Sequence, residues 1–262
     1  MSEQAKTGAV RSFDEGRVRR IVIDNAAKRN AFSPDMMLQL SDALTRFDAD
    51  ASSWVAVLSA EGDHFTAGLD MPKFFGPGAT YKGAPEGNID PFALKRRTNK
   101  PVITAVQGIT YTIGIEMMLA GDIVVAADTA RFCQMESKRG IAPLGGAHFR
   151  FLSRTGWGNA MYHLMLCDEF DAAEALRIGL VQEVVPAGQQ VERALKLAAT
   201  IAANAPLGIQ VMKESALKYI AAAEAAAIAM LPTIRERVLG TEDAKEGIRS
   251  FVERRAANFQ GR

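Results

Sequence analysis

Over the first ~200 residues, short β-rich runs alternate with segments of helical periodicity. That order obliges the chain to cross back over a sheet and so selects an α/β fold. Residues 17–24 (RVRRIVID), 54–59 (WVAVLS), 102–106 (VITAV) and 123–126 (IVVA) are rich in β-branched and apolar residues, and each reads as a strand. Between the first two lies a helix. Ser33 stands at the N-cap, Pro34 at the first helical position, and Asp35 beside the positive end of the dipole. Met37, Leu40, Leu44 and Phe47 then recur at helical spacing and define one buried face. From Ala172 the pattern is mostly helical: 172–178 stops at Gly179, 189–203 follows, Pro206 opens another helix, 221–230 is alanine-rich, and Thr241 caps a last helix through Phe251. The expected organisation is an α/β core over residues 1–200 followed by a helical region over 201–262. Residues 76–91 (GPGATYKGAPEGNIDP) carry no period, and a loop of that length in a compact domain is usually functional or mobile.

Composition narrows the partners. The 262 residues carry 31 basic and 30 acidic side chains, a balance that offers no long-range pull toward nucleic acid or an anionic membrane. Cys133 and Cys167 stand far apart without a CxxC spacing, which argues against a disulfide scaffold or a zinc site. No run reaches the ~18 apolar residues of a membrane span. The most apolar stretch, 219–231, contains Glu224 and reads as a packed helix. Residues 1–10 are polar and carry no apolar export segment. The expected setting is a reducing cytoplasm.

Common catalytic templates are absent: there is no GxxxxGK[ST] and no GxSxG, and Gly156-Trp157-Gly158 lacks the third glycine of a dinucleotide fingerprint. His64, His148 and His163 have no ligand spacing and read as structural histidines. Two glycine-bearing turns follow strands: His64-Phe65-Thr66-Ala67-Gly68-Leu69-Asp70, and the segment from Gln107-Gly108 to Gly114-Ile115-Glu116. Turns at strand C-termini are where α/β sheets gather ligands. Two of them can aim backbone N–H groups at one developing oxyanion. On local evidence they serve equally as ordinary tight turns. Glu116 falls in the first turn of an otherwise apolar helix (GIEMMLAG), where a carboxylate is either dipole-stabilised or functional. Burial would raise its pKa and the helix N-terminus would lower it, so the sign is open. Glu136, beside Lys138 and Arg139, reads locally as a solvated turn residue.

Taken together, these segments resemble the crotonase superfamily, the enoyl-CoA hydratase/isomerase family, across nearly the whole chain from Val18 to Phe259. Phe65-Thr66-Ala67-Gly68-Leu69-Asp70 resembles its FxAGxD segment, and Lys100 through Gly108 (KPVITAVQG) its KPVIAAVNG strand and turn. Glu116 to Asp122 matches E-x5-D, and Ala130-Arg131-Phe132 to Glu136 with Gly140-Ile141-Ala142-Pro143 resembles AxFxxPE…GxxP. Ala172-Ala173-Glu174-Ala175 with Gly179-Leu180-Val181, then Glu246-Gly247 and Phe251 to Arg255, complete the order.

The resemblance implies a spiral core of ββα repeats, a helical C-terminal region that makes a homotrimer or a hexamer of two trimers, and an acyl-CoA thioester substrate. No separate cofactor is implied, since CoA enters as part of the substrate. It assigns the oxyanion hole to the N–H groups of Leu69 and Ile113, activation of water to Glu116, and delivery of a proton to Cα to Glu136. Ala67 falls at the adenine, Lys28 and Arg29 before Asn30-Ala31 at the phosphates, and Phe251 and Arg254 where a neighbouring subunit meets the nucleotide. Two glutamates favour an enoyl-CoA hydratase, a hydro-lyase. A double-bond isomerase, a decarboxylase, a thioester hydrolase and a non-catalytic acyl-CoA-binding homologue are the alternatives. Three features depart from the family pattern. The usual Gly-Gly-Gly before the glutamate region is Thr112-Ile113-Gly114, which adds bulk near the hole. Met135 replaces a proline. Ser137, Lys138 and Arg139 replace apolar residues that would wall the pocket. Phe74, Phe75 and the 76–91 loop are expected to border the acyl group, with Tyr111 facing it.

Overall fold

The structure is a computed structural model that describes residues 8–262. Residues 1–7, part of the polar start noted above, lie outside it. Two strands, β1 (Ala9–Glu15) and β2 (Val18–Asp24), form an antiparallel hairpin. The hairpin is followed by α1 (Pro34–Ala49), β3 (Val55–Ala60), α2 (Met71–Phe75), β4 (Val102–Val106), β5 (Ile109–Tyr111), α3 (Ile113–Ala120), β6 (Ile123–Ala127) and β7 (Arg131–Cys133). A 3-10 turn (Glu136–Arg139) then leads into α4 (Ala147–Leu166), β8 (Phe170–Asp171), α5 (Ala172–Arg177) and β9 (Glu183–Val185). Four helices follow: α6 (Gln190–Ala202), α7 (Pro206–Ala229), α8 (Leu231–Leu239) and α9 (Glu242–Val252).

The large sheet runs β1-β2-β3-β4-β6-β9 and is parallel from β2 onward. A smaller sheet, β5-β7-β8, lies across it. Isolated parallel bridges from Thr66 to Thr110 and from Phe32 to Leu69 carry the small layer one turn further. Each turn of the chain therefore contributes a long strand to one sheet, a short strand or bridge to the other, and then a helix. This is the repeating ββα spiral expected from the sequence.

Alternation in the strands explains the layering. In β3, Val55 and Val57 face one side with Ile103 and Ala105 of β4, and Ala194 and Ala198 of α6 cover them. Ala56 and Leu58 face the other side and join Met36, Met37, Leu40 and Phe47 of α1 and Phe132 of β7 in the main core. Both faces of a parallel sheet are thus covered, as its near-continuous apolar strands require. The N-cap of α1 is as read: the Ser33 hydroxyl accepts from the Met36 amide at 3.2 Å.

Two expectations are corrected. The apolar 219–231 stretch is helical but not packed within the chain. No residue of α7 is buried, and Leu207, Val211, Met212 and Tyr219 face outward. Two charged residues of α7, Lys213 and Glu224, turn inward instead. Lys213 Nζ donates to Asp122 Oδ2 at 2.7 Å and to the Lys100 carbonyl at 2.9 Å. Glu224 lies 3.5 Å from the Arg150 guanidinium and 3.8 Å from that of Arg97. The second correction concerns length: residues 206–239 are long and apolar enough to cross a membrane by composition, with mean hydropathy 1.4, contrary to the reading that no such run exists. The ion pairs just described tie that stretch to the core.

Candidate active site

Glu116 sits in the first turn of α3 and is almost wholly buried. Its Oε1 accepts from the Gly145 amide at 2.7 Å and from the Ala147 amide at 3.2 Å. Ala147 opens α4, so its N–H is one of the donors that a helix leaves without an internal acceptor. The carboxylate therefore stands where two helix N-termini meet. Its other oxygen lies against Gly145: a Cβ built there would come within 2.3 Å of Oε2. Only glycine admits the carboxylate to this position. Burial pushes the Glu116 pKa up, while the two amides and the Arg150 guanidinium pull it back without overcoming the rise. The sign left open in the sequence is thus positive.

Glu136 begins the 3-10 turn and is buried, not solvated. The turn that carries it is held from across the fold. Helix α9 lies across the outer side of the turn with no room for a side chain: a Cβ on Gly247 would meet the Arg139 carbonyl at 2.1 Å, and one on Gly140 the Asp243 carbonyl at 2.2 Å. Glu136 Oε1 accepts from Gln134 Nε2 at 2.9 Å. Oε2 is buried with no hydrogen-bond partner, which native proteins rarely tolerate outside a functional site. Burial pushes this carboxyl above its ordinary range, and the nearby Glu116 charge pushes it further. The two carboxyls thus share one electrostatic environment with unequal support: two amides and a guanidinium favour ionised Glu116, whereas Glu136 has its own backbone amide and the Gln134 side-chain amide but no cation, and its Oε2 is unpartnered.

The two glycine-bearing turns also meet. Thr66 N–H donates to the Ile109 carbonyl at 3.0 Å and Tyr111 N–H to the Thr66 carbonyl at 3.1 Å. A Cβ on Gly114 would meet the Thr66 side chain at 2.7 Å, and one on Gly68 the Thr112 hydroxyl at 2.8 Å. Beside Leu69, the Gly68 carbonyl accepts from Phe32 and the Asp70 amide donates back to it. In a parallel bridge that pattern turns the Leu69 N–H to the opposite side. Ile113 is the first residue of α3, so its N–H has no intrahelical acceptor. Its side chain is buried in the main core and does not fill the space over the turn. The bulk anticipated at this position is therefore directed away.

The charged residues after Glu136 do not wall a pocket. Lys138 is exposed and pairs with Asp168 at 2.7 Å, and Arg139 lies over the Phe251 ring at 4.8 Å. Tyr111 donates its hydroxyl to Glu169 toward the surface. Phe74 packs edge-on against Tyr81 at 5.1 Å, Phe75 is largely exposed, and Phe92 approaches Gly145 beside Glu116. The sequence reading missed Gly145, Ala147, Arg150, Gln134 and Phe92. The adjacent pair Gly145-Gly146 was the available signal, and what it accommodates lies twenty-nine positions away.

Of the nucleotide-binding assignments, Ala67 and Arg29 are brought together, the Ala67 amide donating to the Arg29 carbonyl at 2.9 Å. Lys28 and Arg29 are exposed, and Ala31 is half-buried. Phe251 and Arg254 lie at the end of α9. Among the described residues no hydrogen bond, ion pair or ring contact joins them to Lys28, Arg29, Ala31 or Ala67.

A ββα spiral with a buried pair of carboxyls beside two converging peptide turns is the architecture of a crotonase-type enzyme. The enoyl-CoA hydratase/isomerase family model matches residues 14–262, and the chain belongs to that family. It is 35% identical over 246 residues to an enoyl-CoA hydratase of Mycobacterium tuberculosis, covering 92% of each chain. Among solved structures it is similar to a probable enoyl-CoA hydratase/isomerase from Mycobacterium abscessus, at 44% identity and TM-score 0.77, with 97% of this chain and 99% of that one covered. It is also similar to a carnitinyl-CoA hydratase from Mycobacterium avium, at 32% identity and TM-score 0.86 over the same shares.

Proposed function

We propose that the protein is an enoyl-CoA hydratase that adds water reversibly, in syn fashion, to a 2-enoyl-CoA to give a 3-hydroxyacyl-CoA. The unequal hydrogen bonding of Glu116 and Glu136 is the observation that carries this reading. Two titrating groups pushed apart by their surroundings divide into a base and an acid. Glu116, held by two amides, is the ionised member and takes a proton from the attacking water. Its oxygen bonds to Cβ. Glu136, the more strongly raised member, is the protonated one and gives its proton to Cα through the unpartnered Oε2. The electrons displaced toward the thioester oxygen are met by the N–H groups of Leu69 and Ile113.

Incubation with crotonyl-CoA and with longer or polar enoyl-CoAs, followed by mass spectrometry, tests the reading. A gain of one water is expected. Unchanged mass with a moved double bond, or no turnover by protein that binds the thioester, would overturn it. The pH dependence of kcat is expected to be bell-shaped. Its acidic limb lies above the ordinary carboxylate range because Glu116 must be ionised, and its alkaline limb falls as Glu136 loses its proton.

The outward apolar face of α7 supports a homotrimer or a dimer of trimers, since unassociated chains rarely leave such a face in water. Sedimentation equilibrium is expected to give three or six copies, and a monomer at micromolar concentration would remove this part of the proposal. Two buried free thiols, Cys133 and Cys167, suit a reducing cytoplasm.

A further inference from the structure

Thr112 is one of six non-glycine residues with positive φ among the described residues. At φ 49 and ψ −111 it lies outside even the left-handed helical region that asparagine and aspartate tolerate. A β-branched residue in such a conformation is strained and persists only where its surroundings hold it. The surroundings here are clear. The Thr112 amide donates to the Cys133 carbonyl at 3.0 Å, and its own carbonyl accepts from Ile115 at 3.0 Å and Glu116 at 3.2 Å.

The side chain takes no part in that anchoring. Threonine is a favoured helix cap, yet the Thr112 hydroxyl caps nothing at the start of α3. Thr66, by contrast, gives its hydroxyl to the Asn30 carbonyl at 2.7 Å and receives the Gly68 amide at 3.1 Å. The Thr112 hydroxyl has no hydrogen-bond partner among the described residues. It stands against Gly68, immediately before Leu69, and its own residue immediately precedes Ile113. A free hydroxyl donor thus lies between the two peptides that supply the N–H groups. The family pattern has glycine at this position, which would hold the same backbone without strain and without a donor.

We propose that the Thr112 hydroxyl is a third donor to the thioester oxygen, strengthening as that oxygen gains negative charge on the way to the enolate. The inference rests on the acyl-CoA hydratase reading. No proton is transferred; the O–H···O⁻ bond is charge-assisted and is strongest in the transition state. Removing one donor from such a hole typically lowers kcat by about 10²–10³-fold.

Three variants separate a catalytic hydroxyl from a merely structural residue. Thr112→Val keeps the branching and the strain and removes the hydroxyl. Thr112→Ser keeps the hydroxyl, and Thr112→Gly removes both strain and hydroxyl. The Val variant is expected to lose ~10²-fold in kcat with KM little changed, and Ser to restore most of it. The Gly variant is expected to melt higher than the wild type yet remain slow. A second readout does not need turnover: the vibrational frequency of the 13C-labelled thioester carbonyl of bound butanoyl-CoA. That band is expected to lie lower with Thr or Ser than with Val or Gly. A Gly variant as fast as the wild type, or a carbonyl band that is the same in all four proteins, would overturn the proposal. If the wild type shifts the band but hydrates no enoyl-CoA, the Thr112 assignment stands and the hydratase reading fails.

Discussion

Glu136→Gln is expected to lower kcat by about 10²–10⁴-fold, the usual worth of a positioned proton donor, while making the protein more heat-stable at alkaline pH. The two effects share one cause. The carboxyl is buried, its Oε2 has no partner, and Glu116 lies near, so the folded state holds Glu136 well above its ordinary 4.5. For a group whose folded-state pKa is raised, stability is fully present below the unfolded value and is lost as pH rises through the folded value. The native protein is therefore penalised from about pH 4.5 upward, increasingly so through neutrality. Glutamine has the same shape and never ionises. The melting temperatures of variant and wild type should coincide near pH 4 and diverge in the variant's favour by pH 8, by about 2–4 °C for each kcal/mol. A variant no more stable at pH 8 than the wild type would show that Glu136 is not held in a desolvated site.

Gly145→Ala separates position from folding in the opposite way. The added methyl would stand 2.3 Å from Glu116 Oε2 and 3.0 Å from the Phe92 ring. The first obstacle is the end of the buried Glu116 side chain, and moving it breaks its amide bonds at a cost of about 1–3 kcal/mol for each buried group left unpaired. Displacing a catalytic group by ~1 Å is worth about 10²-fold in rate. The expected variant folds, melts several degrees below the wild type, and is at least ~10²-fold slower. Circular dichroism melting alongside steady-state kinetics decides it. A variant with near-normal kcat would mean that the present placement of the Glu116 carboxylate is not the working one.

How much of this was legible beforehand follows the range of the forces involved. Four of the five longer strands, the Ser33 cap, the Thr241 cap and the helix before Gly179 are local and appear within a residue or two of their expected bounds, whereas β1, largely polar and exposed, went unread. The strands β5, β7, β8 and β9 have two or three residues each, too few for a period to register. The twenty-residue α4 went unseen because Gly156, at φ 76, breaks its periodicity. Glu136 illustrates the limit most clearly. Ser137, Lys138 and Arg139 around it are polar, and the turn that carries it is packed against Asp243 and Gly247 from across the fold. The family resemblance singled it out where neighbouring residues could not. The direction of α7 was hidden for a related reason. Its apolar residues signal a buried face, but Lys213 and Glu224 find their charge partners in the core and turn that face out.

The back-to-back contact of Gly140 with Asp243 and of Gly247 with Arg139 has a consequence for how the enzyme comes into being. A ribosome completes the whole spiral, both carboxyls included, well before it makes the segment that braces the turn carrying Glu136. Until α9 emerges and docks, that turn lacks the backing it has in the finished fold. The growing chain therefore carries both carboxyls through the making of its whole helical end before the turn beneath Glu136 is fixed.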